Sequence, residues 1–224
     1  MSDGVRYIIV GDLHGNYVEL ESLLAAVEYN SQADRLIFTG DYNDHFQNSN
    51  CSTKQLIDLL IQYRAAAPEM VTFIRGNHDQ WFADWLADDL HTTAGWFLQG
   101  GLHTLKSYGI TPEKVSSGRN RIPAPHRQLI CHVVQQYYCD ERLVAVHGGF
   151  TREAQMEQVS RGGELTRADQ TAMIWDREFI FKRDSRTHRQ YRHWLGERYL
   201  VTGHSPSGPW LNPVNEKWLL IDSP

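Results

Sequence analysis

Three cysteines in 224 residues, Cys51, Cys131 and Cys139, are too few and too irregularly spaced for a disulfide framework or a zinc knuckle. They read as structural thiols in a reducing, cytoplasmic setting. No apolar run approaches the ~20 residues of a membrane span, and no secretory or transit segment precedes the first strand-like run. Basic excess is missing as well. With 22 Lys and Arg against 27 Asp and Glu, the net charge is -5, which gives no support to a nucleic-acid binder that works through a basic surface. An anionic ligand would have to be held locally. Repeats and low-complexity tracts are absent, and the 41% hydrophobic content and the length suit a single domain over 1–224.

What is present is a set of short apolar runs that all end alike. Residues 5–10, 36–39, 71–74, 143–146 and 199–202 read as buried strands, and each breaks into a polar, glycine-bearing loop that delivers Asp, Asn or His. Between the first three, Leu20, Leu23, Leu24 and Val27, then Leu56, Ile57, Leu59, Leu60 and Tyr63, recur at helical spacing. A β-α-β-α-β alternation predicts a parallel sheet, with ligands at the carboxyl ends of its strands. From about 81 to 140, Trp81, Trp85, Leu86, Trp96, Phe97, Leu129, Val133, Val134 and Tyr137 predict helices that cap one side of that sheet. Trp81, Trp85 and Trp96 read as core. A last strand over 218–221 is expected to pair antiparallel.

The polar residues at the five strand ends are Asp12 and His14, Asp41, Asn77, His147 and His204. Mixed oxygen and imidazole donors suit Mn, Fe or Zn better than Mg or Ca. One arrangement uses every residue: Asp12, His14 and Asp41 on one divalent ion, and Asp41, Asn77, His147 and His204 on a second. A shared carboxylate would hold the ions ~3.5–4 Å apart, the spacing of two-metal hydrolytic sites. Two such ions with two carboxylates and a bridging hydroxide keep net positive charge in a buried pocket, which attracts a phosphate, and that hydroxide is placed for in-line attack on phosphorus. His78, oriented by a hydrogen bond to Asp44, is the candidate general acid. Arg75 is a candidate phosphate contact.

The blocks Gly11-Asp12-Leu13-His14-Gly15, Gly40-Asp41-Tyr42-Asn43-Asp44, Arg75-Gly76-Asn77-His78-Asp79, His147-Gly148-Gly149 and Gly203-His204 resemble the five signature motifs of the calcineurin-like metallophosphoesterases. They resemble most closely the phosphoprotein phosphatase branch, which includes the bacteriophage lambda phosphatase and the symmetrical diadenosine tetraphosphatases. Pro206 stands where many nuclease and phosphodiesterase relatives place a second His, which agrees with that branch. The resemblance implies an α/β/β/α four-layer sandwich and two divalent ions, usually Mn. It also implies phosphoester hydrolysis without a covalent intermediate.

One departure stands out. The branch follows Asp44 with Arg and Gly, but this chain has His45 and Phe46 in a longer loop, and imidazole cannot make the bidentate fork of a guanidinium. Arg177, in Ile174-Trp175-Asp176-Arg177, matches the Trp-x-Arg position of bacterial members. Either His45 is a weaker, pH-dependent substitute or the longer loop creates a different substrate rim, and Arg177 is then expected to carry more of the phosphate binding. The reading is therefore a serine/threonine phosphatase-like phosphomonoesterase acting on a phosphorylated protein or a small phosphoester. A symmetrical dinucleoside tetraphosphate hydrolase is the enzymatic alternative, and a non-catalytic regulatory binding protein on the same scaffold is the other.

Overall fold

The computed structural model describes residues 4–44, 51–89, 93–178, 193–206 and 218–222. Two sheets form its centre. The first is β1 (Arg6–Val10), β2 (Asp34–Phe38) and β3 (Val71–Phe73), in that order and all parallel. The second is β4 (Tyr137–Cys139), β5 (Leu143–Val146), β6 (Tyr199–Thr202) and β7 (Trp218–Leu220). Here β4 runs antiparallel to β5, and the other pairs are parallel.

Alternation along the strands explains why the sheets stack. Side chains of a strand point to opposite faces in turn. Leu36 and Phe38 thus enter one core while Ile37 enters another. In the second sheet Leu143 and Ala145 join Ile37, Ile74 and Val201, whereas Val144, Val146 and Leu200 face the far side. Three apolar layers result, one between the sheets and one outside each, which is the expected α/β/β/α sandwich.

The outer layer of the first sheet is covered by α1 (Tyr17–Ala26), α2 (Thr53–Ala66) and a helical block. Asn16 and Ser52 cap the two helices by accepting the backbone N–H groups of Glu19 and Gln55 at 3.3 Å. The block comprises α3 (Asn77–Leu86), α4 (Thr93–Trp96), α5 (Leu102–Ser107) and α6 (Ala124–Gln128), with Phe82, Trp85, Trp96 and Tyr108 clustered inside it. Beyond the second sheet lie α7 (Glu153–Ser160) and α8 (Arg167–Trp175).

Two expectations fail. Tyr137 is not helical: β4 forms an edge of the second sheet, and the bridge from Ile74 to Gln135 leads the chain from one sheet into the other. The last strand is parallel to β6, not antiparallel. Residues 203–217 separate the two, long enough for a crossover, where the sequence reading assumed a short turn. The three cysteines are free thiols, as expected. No helix among the described residues is long and apolar enough to cross a membrane.

Candidate active site

The parallel strands of both sheets deliver their carboxyl ends to one edge, and the six predicted ligand residues meet there. Donor atoms of Asp12, His14 and Asp41 lie within 4.8 Å of one another, and so do those of Asp41, His147 and His204. Asn77 Oδ1 lies 3.0 Å from His147 Nε2. Asp41 belongs to both sets, as the strand-end pattern predicted.

Backbone packing makes this convergence possible. The N–H groups of Leu13 and His14 donate to the Asp41 carbonyl at 3.1 and 2.8 Å, and the Asp12 carboxylate accepts the His204 N–H at 3.1 Å. Asp79, which sequence reasoning left unassigned, accepts the N–H groups of Gly76, Asp41 and Tyr42 at 2.8–2.9 Å, tying the loops after β2 and β3 together. Only glycine fits at Gly76, because a Cβ there would sit 2.0 Å from Asp41 Oδ1. His14, Asp41, Asp44 and His204 all have φ between 41° and 70°, and they make up four of the six non-glycine residues in the left-handed region among the described residues. Such strain persists where surrounding structure enforces it, commonly at functional sites.

Hydrogen bonds show what the imidazoles are prepared for. His147 Nδ1 lies 2.9 Å from the Thr39 carbonyl and His14 Nδ1 lies 2.9 Å from the Asn43 carbonyl. A carbonyl only accepts, so each Nδ1 carries a proton and each Nε2 is the nitrogen left to face inward. His147 Nε2 then faces two acceptors, Asn77 Oδ1 and, at 3.4 Å, Asp41 Oδ2. His204 Nε2 is buried with no hydrogen-bond partner among the described residues. Two acceptors converging on His147 Nε2 call for a proton or a metal cation between them. The electrostatics agree. Burial depresses the His147 pKa, but Asp41 and Asp12 overcome it and raise it to about 10, so the carboxylates call for positive charge here. Burial pushes Asp12 up to about 7 against the pull of His147. Burial, His147 and Arg177 press His204 down to about 3, so it is a neutral imidazole.

Beside these donors stands the predicted pair. His78 Nδ1 lies 2.8 Å from Asp44 Oδ2. Burial lowers the His78 pKa, but Asp41 and the Asp44 hydrogen bond raise it by more, favouring the imidazolium. Asp44 is fully buried, and it also accepts from Trp96 Nε1 and, at 2.5 Å, from Thr104 Oγ1. Neither partner carried a sequence signal, because the contacts span more than fifty positions. The helical block is thereby built into the site.

The remaining candidates divide. Arg177 is exposed and reaches the site edge, where its Nη1 lies 3.3 Å from Ser205 Oγ. Arg75 departs from expectation: it is buried at 6% exposure and donates to the Ile130 carbonyl at 2.9 Å, so it fastens the helical block and offers no exposed charge to phosphate. His45 lies outside the described residues. Trp85 and Trp96 are core, as read, and Trp81 packs half-buried against that core while its ring also stands 5.1 Å from His78 between centroids. Asp222 was missed although it follows the apolar run 219–221 in the same strand-end pattern. It is buried, and that burial pushes its pKa up to about 6.

A family model described as calcineurin-like phosphoesterase matches residues 5–221. A symmetrical bis(5'-nucleosyl)-tetraphosphatase from Serratia proteamaculans is 38% identical over 71 residues, covering 32% of this chain and 22% of that protein. A crystal structure of a putative diadenosine tetraphosphatase aligns over 97% of this chain and 83% of its own, with TM-score 0.59 and 18% identity. A Saccharomyces cerevisiae serine/threonine phosphatase with similarity to human phosphatase PP5 aligns over 100% and 69%, with TM-score 0.63 and 12% identity.

Proposed function

Because this chain belongs to the calcineurin-like phosphoesterases, we propose that it is a metal-dependent phosphomonoesterase of the serine/threonine phosphatase type. The observation that carries the reading is the pair of donor sets sharing Asp41, with the His78–Asp44 pair beside them. Asp12, His14 and Asp41 would hold one divalent ion, and Asp41, Asn77, His147 and His204 the other. Mn is our first choice for this oxygen and imidazole mixture, with Fe or Zn next. Bound there, the two ions would acidify a water for attack on phosphorus and neutralise phosphoryl charge.

The chain's own residues do the rest. Arg177 would steady a phosphoryl oxygen from the exposed side. His78, held in its charged form by Asp44, would protonate the leaving oxygen. The helices between 77 and 133 form the cap, and residues 1–224 serve the site as one unit. A cytoplasmic setting suits the three free thiols.

A second reading, cleavage of a symmetrical dinucleoside tetraphosphate, is favoured by the local match to the Serratia enzyme. Retention of all six donors together with His78 argues against a purely regulatory binding protein. The test is turnover of p-nitrophenyl phosphate with added Mn, expected to vanish with chelator and in Asp41→Asn, and turnover of an alkyl phosphate, whose leaving oxygen needs a proton, expected to collapse in His78→Ala. Undiminished turnover in both variants refutes the assignment. Profiling phosphopeptides against dinucleoside polyphosphates separates the two enzymatic readings.

A further inference from the structure

Ring contacts follow one another around the donor cluster. His14 meets His78 at 5.1 Å between centroids, His78 meets Trp81 at 5.1 Å, and Trp81 meets Trp175 at 4.7 Å. Trp175 continues to His204 at 6.3 Å, and His204 to His147 at 4.9 Å. His147 and His14 both approach Asp41 Oδ2, at 3.4 and 3.9 Å, which closes the circuit. Four members are imidazoles assigned above to metal or proton chemistry. The two indoles belong to neither role, and Trp175 is 39% exposed, unusual for a side chain of its size and apolarity.

We propose that Trp81 and Trp175 form a shelf for the leaving group of an aryl phosphate, such as a phosphotyrosyl side chain. This rests on the phosphomonoesterase reading and on His78 as the general acid, and it shifts the preferred leaving group from seryl or threonyl to aryl. The leaving oxygen must sit at His78, and of the two rings against His78, His14 and Trp81, Trp81 is the one not assigned to metal. In an aryl ester the aromatic ring is bonded to that oxygen directly, so it falls at once onto the indoles. In a dinucleoside polyphosphate, further phosphates and a ribose separate base from reacting oxygen, so the base lies beyond a surface this close. A seryl chain offers no ring at all. During hydrolysis water supplies the new bond to phosphorus and releases one proton to solvent. The bond from phosphorus to the aryl oxygen breaks, its electron pair stays on that oxygen, and His78 supplies the proton that completes the phenol.

Phenol is intrinsically the better leaving group, so the test compares variants with the parent protein. Kinetics of the full Mn-loaded chain are measured on phenyl and cyclohexyl phosphate, with benzylphosphonate and cyclohexylmethylphosphonate as uncleavable inhibitors. One aromatic contact contributes about two- to tenfold in affinity. Trp175→Ala and Trp81→Leu are each expected to lower the phenyl-to-cyclohexyl ratio of kcat/KM by that factor and to weaken benzylphosphonate selectively. Trp175→Phe, which keeps a ring, should recover most of the ratio. Benzylphosphonate should quench tryptophan emission in the parent and less so in Trp175→Phe. Equal losses on both esters, or a change confined to diadenosine tetraphosphate, overturn the shelf alone. A parent protein that cleaves none of these esters overturns the hydrolase reading and, with it, the shelf's substrate.

Discussion

Replacing Asp44 by Asn isolates one negative charge with little change of shape. Asp44 Oδ2 accepts from His78 and Trp96, and Oδ1 accepts from Thr104. An Asn with its oxygen at the Oδ2 position keeps the first two bonds. Its amide then points at Thr104 Oγ1, which can accept it and turn its own proton toward Thr53 Oγ1, 3.1 Å away. Every polar atom stays partnered, so the folding cost should be about 1 kcal/mol, that of one weakened hydrogen bond. The effect on His78 is larger. Metal ions held by the donor sets would draw off the Asp41 charge, and Asp44, with a smaller pull from Asp79, would then keep this imidazole protonated. A hydrogen bond to a charged group contributes ~1.5–3 kcal/mol, which corresponds to roughly 1–2 pH units.

A general acid works only while protonated, so activity falls as pH rises through the His78 pKa. In Asp44→Asn the alkaline limb of the kcat profile should move down by that ~1–2 units. Near neutral pH, hydrolysis of an alkyl phosphate should drop on the order of 10²-fold, within the usual range of general acid catalysis. Hydrolysis of p-nitrophenyl phosphate should drop less, since its leaving anion needs little help from a proton. The assay is kcat against pH for both esters with saturating Mn, alongside a thermal melt to confirm folding. An unmoved alkaline limb with equal losses on both esters would show that Asp44 merely props up its loop.

Metal titration by calorimetry should find two Mn per chain in the parent and at most one in Asp41→Asn, since both donor sets share that carboxylate. Mn at ~100 times its dissociation constant should stabilise the parent by ~2.7 kcal/mol per site, seen as a higher Tm that chelator reverses. Arg177→Ala should raise KM for a phosphomonoester about tenfold with a smaller change in kcat, and an unchanged KM removes Arg177 from the phosphate site. Away from the site, hydrogen bonds from Arg6 and the Asn30 N–H hold Asp34 down at about 2, against burial. Its contribution to stability is therefore present above pH ~4, the unfolded carboxylate value. It is lost as pH falls through 2. Urea midpoints measured from pH 5 to 2 should decline less steeply in Arg6→Ala than in the parent.

Much of the site was legible because its chemistry is local to strand ends. An apolar run that breaks at Gly40 into Asp41 states both where the strand stops and what it delivers, and the same is true at Asp12, Asn77, His147 and His204. The Asp44–His78 pair could be inferred because both residues lie within a few positions of a ligand. Non-local features were hidden. Trp96 and Thr104 reach Asp44 across 52 and 60 positions, and no periodicity encodes that. Arg75 looked available because it flanks Asn77, yet the helical block that buries it is packed from residues as distant as Ile130. The direction of the last strand depended on a crossover, and strand composition says nothing about crossovers.

The left-handed residues bring these two kinds of information together. Local propensity disfavours φ above zero at His14, Asp41, Asp44 and His204, and no turn glycine replaces them. Each must be both the side chain the chemistry needs and the backbone shape the packing demands. Gly40 and Gly76 supply room for that compromise, because a Cβ on Gly40 would lie 2.6 Å from Gly76 N, and one on Gly76 would press still closer on Asp41. Asp79 then holds both loops through three N–H groups. A side chain at either glycine would separate the loops after β2 and β3 and pull Asp41 away from His147. The placement of the carboxylate shared by both donor sets is thus set by the two glycines and Asp79, which belong to neither set.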